Sequence, residues 1–340
     1  MLVNTHSEWE PLKEIIVGIA DGAQIPTVKD ESLHSIENGT LTDEEFAQVP
    51  SGPYPRHIIE ETSEDLDQFA ADLSAMGIKV HRPAATDFST IYETDDWSVD
   101  GYHAYCPRDV IFTVGNQAIE CPMVLRHRQN EVRIYRDIVE TVRSPLPRLL
   151  DDMYDRSVLG RPTLTNKEPA FDAANLLKIG RDIMFLISNT GNDAGRDWLQ
   201  EHLGSEYRVH AVRDVYAYIH IDSTILPLRP GLVLCCPKRI NDDNIPDFFR
   251  SWDRIYAPEP IVTPFDSAWN PSSAWIAMNV LSISPELVVV EKNQTNLMRL
   301  LKKYGIESYP LQLRHMRTMG GGPHCVTLDL VRAGTLEDYS

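Results

Sequence analysis

The chain has 340 residues, 42% hydrophobic and 24% charged, an ordinary balance for a globular protein, which excludes a fibrous or largely disordered chain. Its 50 acidic residues against 32 basic ones give a net charge of -18, which repels phosphate backbones and anionic bilayers and argues against nucleic-acid and membrane partners. No run of 18 apolar residues marks a bilayer-spanning helix and no basic-then-apolar leader opens the sequence; the five cysteines (Cys106, Cys121, Cys235, Cys236 and Cys325) suggest no disulfide framework, so a cytoplasmic, reducing location is expected.

Ile15–Ile19 reads as a strand running into a turn near Gly22. Residues 30–56 carry Pro50, Gly52, Pro53 and Pro55 and read as a long loop, a form common in lids and binding elements. From His57 to Met76 the apolar residues Ile58, Ile59, Leu66, Phe69, Ala70 and Leu73 share a helical face, and Gly77 closes it. A strand starts at Lys79. Val110–Val114 and Ala118–Cys121 flank Gly115-Asn116-Gln117, a hairpin signal, and a helix is predicted over Arg126–Thr141. Residues 143–167 read as an irregular excursion. Similar strand pairs follow at Ala173–Ile179 with Ile183–Ile187, Ser223–Pro227 with Leu232–Cys235, and Ala277–Ile283 with Leu287–Glu291. Helices are predicted over Asp193–His202, Asp243–Trp252 and Asn296–Tyr304, and further strands at Tyr207–Ala211 and Val326–Leu330.

The recurring order is paired strands, a helix, then another strand, with five helix candidates and no visible sequence repeat. An α/β chain of this grammar suits either a closed ring of like modules or an open doubly wound sheet. The second lacks its dinucleotide fingerprint, and no Walker loop occurs.

Gly320-Gly321-Gly322-Pro323-His324-Cys325 is the strongest local feature. Consecutive glycines suit a sharp turn or a close ligand approach. Cys325 at the mouth of the next strand reads either as a nucleophile, which requires a depressed pKa, or as a buried cysteine beside a turn. In His220-Ile221-Asp222 a strand would put His220 and Asp222 on one face, where an imidazole moves protons near neutral pH. Asp172 lies in the apolar stretch Glu168-Pro169-Ala170-Phe171-Asp172-Ala173-Ala174-Asn175 and needs a partner. Asp109 closes Cys106-Pro107-Arg108-Asp109 ahead of a strand pair. Carboxylates at such positions suit a guanidinium, with its rigid fork of donors, or serve as local caps. There is no Cys-x-x-Cys or His-Glu-x-x-His spacing for zinc, and no Gly-x-Ser-x-Gly for a serine hydrolase.

These four motifs, in this order, resemble the arginine:amine amidinotransferases, the family of glycine amidinotransferase and the inosamine-phosphate amidinotransferases. The resemblance runs from Glu8-Trp9-Glu10-Pro11-Leu12 to Gly334-Thr335-Leu336-Glu337. Pro50-Ser51-Gly52-Pro53-Tyr54-Pro55 and the segment Asn241–Phe248 point to the inosamine-phosphate branch of natural-product biosynthesis. The resemblance implies a pentein fold, five ββαβ-type modules about a pseudo-fivefold axis, formed by one catalytic domain over residues 1–340. It implies Cys325 as nucleophile, His220 as general acid/base and Asp172 as its partner. It further implies that Asp109 and Asp222 clamp the guanidinium, and that Arg239 and Ser273 hold the amino-acid end of the donor.

The implied reaction moves the amidino group of L-arginine through an amidino-cysteine to a primary amine, releasing L-ornithine, in the making of an aminocyclitol antibiotic or a guanidino toxin. No cofactor or metal is implied, and a homodimer is expected by base rate. A guanidine hydrolase, with water as acceptor, and a non-catalytic binding protein are the alternatives. Tyr216-Ala217-Tyr218-Ile219 ahead of His220 departs from the glycine-specific branch, as Pro323 does from the usual phenylalanine. A phosphate-bearing acceptor would call on basic residues such as Arg126, Arg128 and Lys178.

Overall fold

A computed structural model describes residues 3–36, 42–157, 162–262 and 272–340. Fifteen strands form five three-stranded sheets of one pattern. In each sheet the middle strand runs antiparallel to the first and parallel to the third. Module one holds β1 (Leu12–Val17) and β2 (Lys79–His81). Module two holds β3 (Ile111–Val114), β4 (Gln117–Glu120) and β5 (Val142–Arg143). Module three holds β6 (Leu176–Ile179), β7 (Asp182–Leu186) and β8 (Arg208–Val212). Module four holds β9 (Ile225–Arg229), β10 (Leu232–Cys235) and β11 (Asp253–Tyr256). Module five holds β12 (Leu281–Ser284), β13 (Leu287–Glu291) and β14 (Glu307–Leu311). The first strand of module one comes from the far end of the sequence: β15 (Thr327–Arg332) pairs with β1.

The middle strands are nearly continuous apolar runs, such as Leu-Val-Val-Val-Glu in β13, because both faces are covered. Packing passes from module to module. Strand β15 lies against β3, β6 against β9, and β12 against β1. Leu234 and Ile255 of module four share one apolar cluster with Val288 and Val290 of module five. Ile111 and Phe112 of module two share another with Ile183 and Phe185 of module three, so side-chain packing links each module to the next and the fifth to the first.

The parallel second and third strands need a crossover. In modules one, three and five this is a helix: α1 (Arg56–Ala75), α2 (Asp193–Leu203) and α3 (Thr295–Lys303). Helix α1 buries Ile58, Leu66, Phe69 and Leu73, as the spacing predicts.

Modules two and four depart from the prediction. Only Arg126–Gln129 is α-helical in the predicted helix Arg126–Thr141, followed by a 3-10 turn at Glu131–Tyr135. Val132, Ile134, Tyr135, Ile138 and Val139 are weak helix formers, and Arg128 is held by Asp109 and Glu131 at the break. The predicted helix Asp243–Trp252 reduces to a 3-10 turn, Asp247–Phe249, behind Pro246. His220-Ile221-Asp222 is not a strand either. The Thr224 and Ile225 amides bond back to the Ile221 carbonyl, which makes a turn ahead of β9. The loop predicted over 30–56 contains the short helices Glu31–Ile36 and Asp43–Ala47. Parts of it and of the 143–167 excursion, at 37–41 and 158–161, lie outside the described residues.

Candidate active site

The sequence-predicted site residues, Arg239 apart, share a place in the module. Asp109 sits in the helical turn Pro107–Val110 just before β3. Asp172 caps the 3-10 turn Ala173–Asn175 before β6. His220 and Asp222 precede β9, Ser273 caps the 3-10 turn Ala274–Met278 before β12, and Cys325 precedes β15. Each module therefore delivers its contribution at the entry to its first strand.

His220 Nε2 stands 2.9 Å from Asp172 Oδ2, and Nδ1 lies 3.8 Å from Asp109 Oδ1. Burial pulls the imidazole pKa down. Asp109, the bond to Asp172 and then Asp222 outweigh it and push the value up to about 9. Burial in turn raises the carboxyl pKa of Asp172. Asp109 Oδ2 accepts a 2.6 Å bond from Arg128, whose Nε donates to Glu131 at 2.9 Å. Among the described residues, Asp109 Oδ1 and Asp172 Oδ1 are buried without a hydrogen-bond partner. Buried acceptors are rarely left so.

The thiol side is built differently. Asp222 Oδ2 lies 2.8 Å from His324 Nδ1 and 3.4 Å from Cys325 Sγ, and His324 Nε2 lies 3.2 Å from Glu8 Oε2. Burial raises the Asp222 pKa, but the bond and charge of His324 outweigh it and hold the value at about 2. Asn279 Oδ1 accepts from the His324 and Cys325 amides at 3.1 and 3.0 Å. Gly320 has φ +84°, in the left-handed region. At Gly321 a Cβ would stand 2.5 Å from Cys106 Sγ and 2.9 Å from Cys325 Cβ, so no side chain fits.

The depressed thiol pKa that a nucleophile requires is not met in this state. The Cys106 thiol, burial, Asp222 and Asp109 push the pKa of Cys325 well up. Burial and the two carboxylates disfavour the thiolate, and the neutral Cys106 thiol does not offset them.

A cavity of about 40 Å3 is lined by Cys106, Asp109, Arg128, Asp172 and His220, with Met319 and Gly320. Its size suits water and not an amino acid. Cys325 and Asp222 are not on its wall. Arg239 follows β10 and donates to the Ser223 carbonyl, Thr224 Oγ1 and Ser273 Oγ at 3.0, 2.9 and 3.1 Å. Its guanidinium lies over the Tyr216 ring at 3.8 Å. Lys178 is unsuited to an acceptor phosphate, because it is buried and bonded to Asp329 at 2.9 Å.

Sequence reasoning missed Glu8, Glu131, Asn279 and His324 as parts of the site. His324 stood beside the nucleophile motif and was legible there. Glu8 and Asn279 carry no local signal.

No protein-family model matches the chain. Inosamine-phosphate amidinotransferase 1 of Streptomyces glaucescens is 47% identical, over 99% of this chain and 99% of its own. The L-arginine:L-lysine amidinotransferase of Pseudomonas savastanoi pv. phaseolicola is 35% identical, over 99% of this chain and 96% of its own. The solved structure of an inosamine-phosphate amidinotransferase from Streptomyces griseus aligns with a TM-score of 0.94 at 47% identity, covering 99% of both chains. With this identity sustained along the whole chain and the backbone matched with it, the chain belongs to the amidinotransferase family and has the pentein fold.

Proposed function

We propose that this enzyme moves the amidino group of L-arginine to a small primary amine and releases L-ornithine. The observation that carries the reading is the pair of buried, unpartnered carboxylate oxygens, Asp109 Oδ1 and Asp172 Oδ1, beside a histidine and a thiol. A guanidinium supplies planar N–H donors and a positive charge to such acceptors. It also brings a cation to Cys325, so donor binding favours the thiolate. The cavity must widen for the donor to enter.

The thiolate of Cys325 attacks the guanidinium carbon, held in plane by Asp109 and Asp222. Protonated His220, steadied through Nε2 by Asp172, gives its Nδ1 proton to the departing amine, and ornithine leaves. The amidino group stays on the Cys325 sulfur. The acceptor amine then gives a proton back to His220 and takes the amidino group, which restores the thiol side. This is two-step covalent catalysis with ping-pong kinetics. Arg239 and Ser273 hold the amino-acid end of arginine.

We take the acceptor to be an aminocyclitol phosphate, after the 47% identical relative, in the formation of a secondary metabolite. The chain acts as one catalytic domain, as a homodimer, in the cytoplasm. Among the described residues no helix is long and apolar enough to cross a membrane.

The test is intact mass after incubation with L-arginine alone, beside assays for ornithine, citrulline and ammonia. An added mass of one amidino group with one equivalent of ornithine is expected. Continuous citrulline and ammonia would mean that water resolves the intermediate, and the enzyme would be a guanidine hydrolase. Screening aminocyclitol phosphates against lysine-like amines then tests the acceptor.

A further inference from the structure

Cys106 has no part in the transfer steps, yet it lies in the wall of the cavity beside His220, Asp109 and Asp172. It enters from module two, just before β3, and Cys325 enters from module one, just before β15. The two meet at Gly321. Cys106 Sγ and Cys325 Cβ both lie within 3 Å of the point where a Cβ on Gly321 would stand, at 2.5 and 2.9 Å. Each thiol also bears on the other's pKa. A glycine is thus what leaves the Cys106 sulfur room beside Cys325. Both cysteines are reduced in this structure.

We propose that Cys106 and Cys325 form a reversible disulfide that blocks the active site, with a peroxide as the oxidant. The proposal rests on the reading of Cys325 as nucleophile for its effect on activity, but not for the bond itself. The sulfur of one thiol attacks the peroxide O–O bond while its proton passes to the departing oxygen, so that a sulfenic acid forms and one water leaves. The second sulfur attacks the sulfenic sulfur and expels a second water with the remaining thiol proton. Two thiols are oxidised by two electrons, and one peroxide is reduced to two waters. The cavity beside Cys106 has room for a molecule of water or peroxide size, which arginine exceeds. Disulfides in a reducing compartment are characteristically transient and redox-sensing. Sharing Cys325 with Cys106 also keeps the nucleophile from the irreversible sulfinic and sulfonic states.

The experiment treats the full-length protein with submillimolar hydrogen peroxide, without arginine, and blocks remaining thiols by alkylation. Intact mass, peptide mapping and transfer activity are then read before and after dithiothreitol. Two fewer alkylated thiols than in an untreated control, a peptide linking Cys106 to Cys325, and activity that falls more than tenfold and returns with the reductant are expected. In Cys106→Ser the same treatment should carry Cys325 to the sulfinic acid, and the lost activity, relative to that variant untreated, should not return. The absence of a linked peptide from the oxidised native protein overturns the proposal, whether or not the variant folds. So does recovery of Cys106→Ser to the native extent. A linked peptide without loss of transfer activity would keep the bond and instead remove Cys325 from the mechanism.

Discussion

Two groups of buried aspartates lie in this molecule, and their surroundings set them apart. Asp329 on β15 is fully buried, and every side of its carboxylate is met: Arg108 donates at 2.6 Å, Lys178 at 2.9 Å and Arg332 at 3.0 Å. Burial would raise its pKa, but Lys178, Arg108 and Arg332 hold it well below the usual carboxylate range. Arg108 comes from module two, Lys178 from module three and Asp329 from module one, so this cluster ties three modules together. Asp109 and Asp172 are as deeply buried but each keeps one oxygen unmet among the described residues. The saturated carboxylate is part of the frame. The other two keep an acceptor oxygen that the proposed guanidinium would meet, and the residue type alone does not distinguish the two.

The contrast makes its boldest claim at the thiol. Cys325→Ala should abolish transfer and the amidino adduct while circular dichroism and melting stay near the parent, because the frame does not use the sulfur. Residual turnover with an intact fold would break the assignment. His220→Ala should lower kcat about 10²–10⁴-fold, the usual contribution of a positioned acid/base; a loss below tenfold would move proton transfer elsewhere. On the other side of the contrast, Asp329→Asn should cost about 3–5 kcal/mol in urea unfolding, since it leaves buried cations without their counter-charge. If stability hardly changed, the saturated cluster would not be the frame. Asp172→Asn should cut kcat/KM about 10–100-fold, in line with one charge-assisted hydrogen bond. It should leave unfolding free energy within about 1 kcal/mol, and a larger stability loss would place Asp172 with Asp329.

The smallest effect is on pH. His220 rises from 6.5 unfolded to about 9 folded. Its protonated form therefore contributes stability that is complete below pH 6.5 and is lost as pH rises through 9. The full difference is on the order of 3 kcal/mol. Urea midpoints should fall more steeply from pH 7 to 9.5 in the parent than in His220→Gln. Equal slopes would mean that the folded enzyme does not hold the proton.

How much of this was legible in the sequence depends on the range of the signal. Hairpins and α1 carry their periodicity locally, and Cys325, His220, Asp172, Asp109 and Asp222 stand in motifs that identify the family. What stayed hidden is set by distant pairings. Glu8 meets His324 and Asn279 meets the Cys325 amide only after the ring closes. The crossovers of modules two and four lost their predicted helices partly to local propensity that the periodicity overrode, the β-branched run after Asn130 and Pro246, and partly to the bond from Arg128 to Asp109. The raised thiol pKa of Cys325 is likewise a property of its assembled neighbours, above all Cys106.

The pairing of β1 with β15 has one more consequence. Val17 bonds to the strand beginning at Thr327, so the thiol two residues before that strand is aimed by one of the longest-range contacts in the chain. Contacts of such separation carry the largest loop-closure entropy and form slowly. A folding intermediate can hold four complete sheets and still have an unaimed cysteine. On the proposed role of Cys325, its aim thus depends on a pairing between the two ends of the chain.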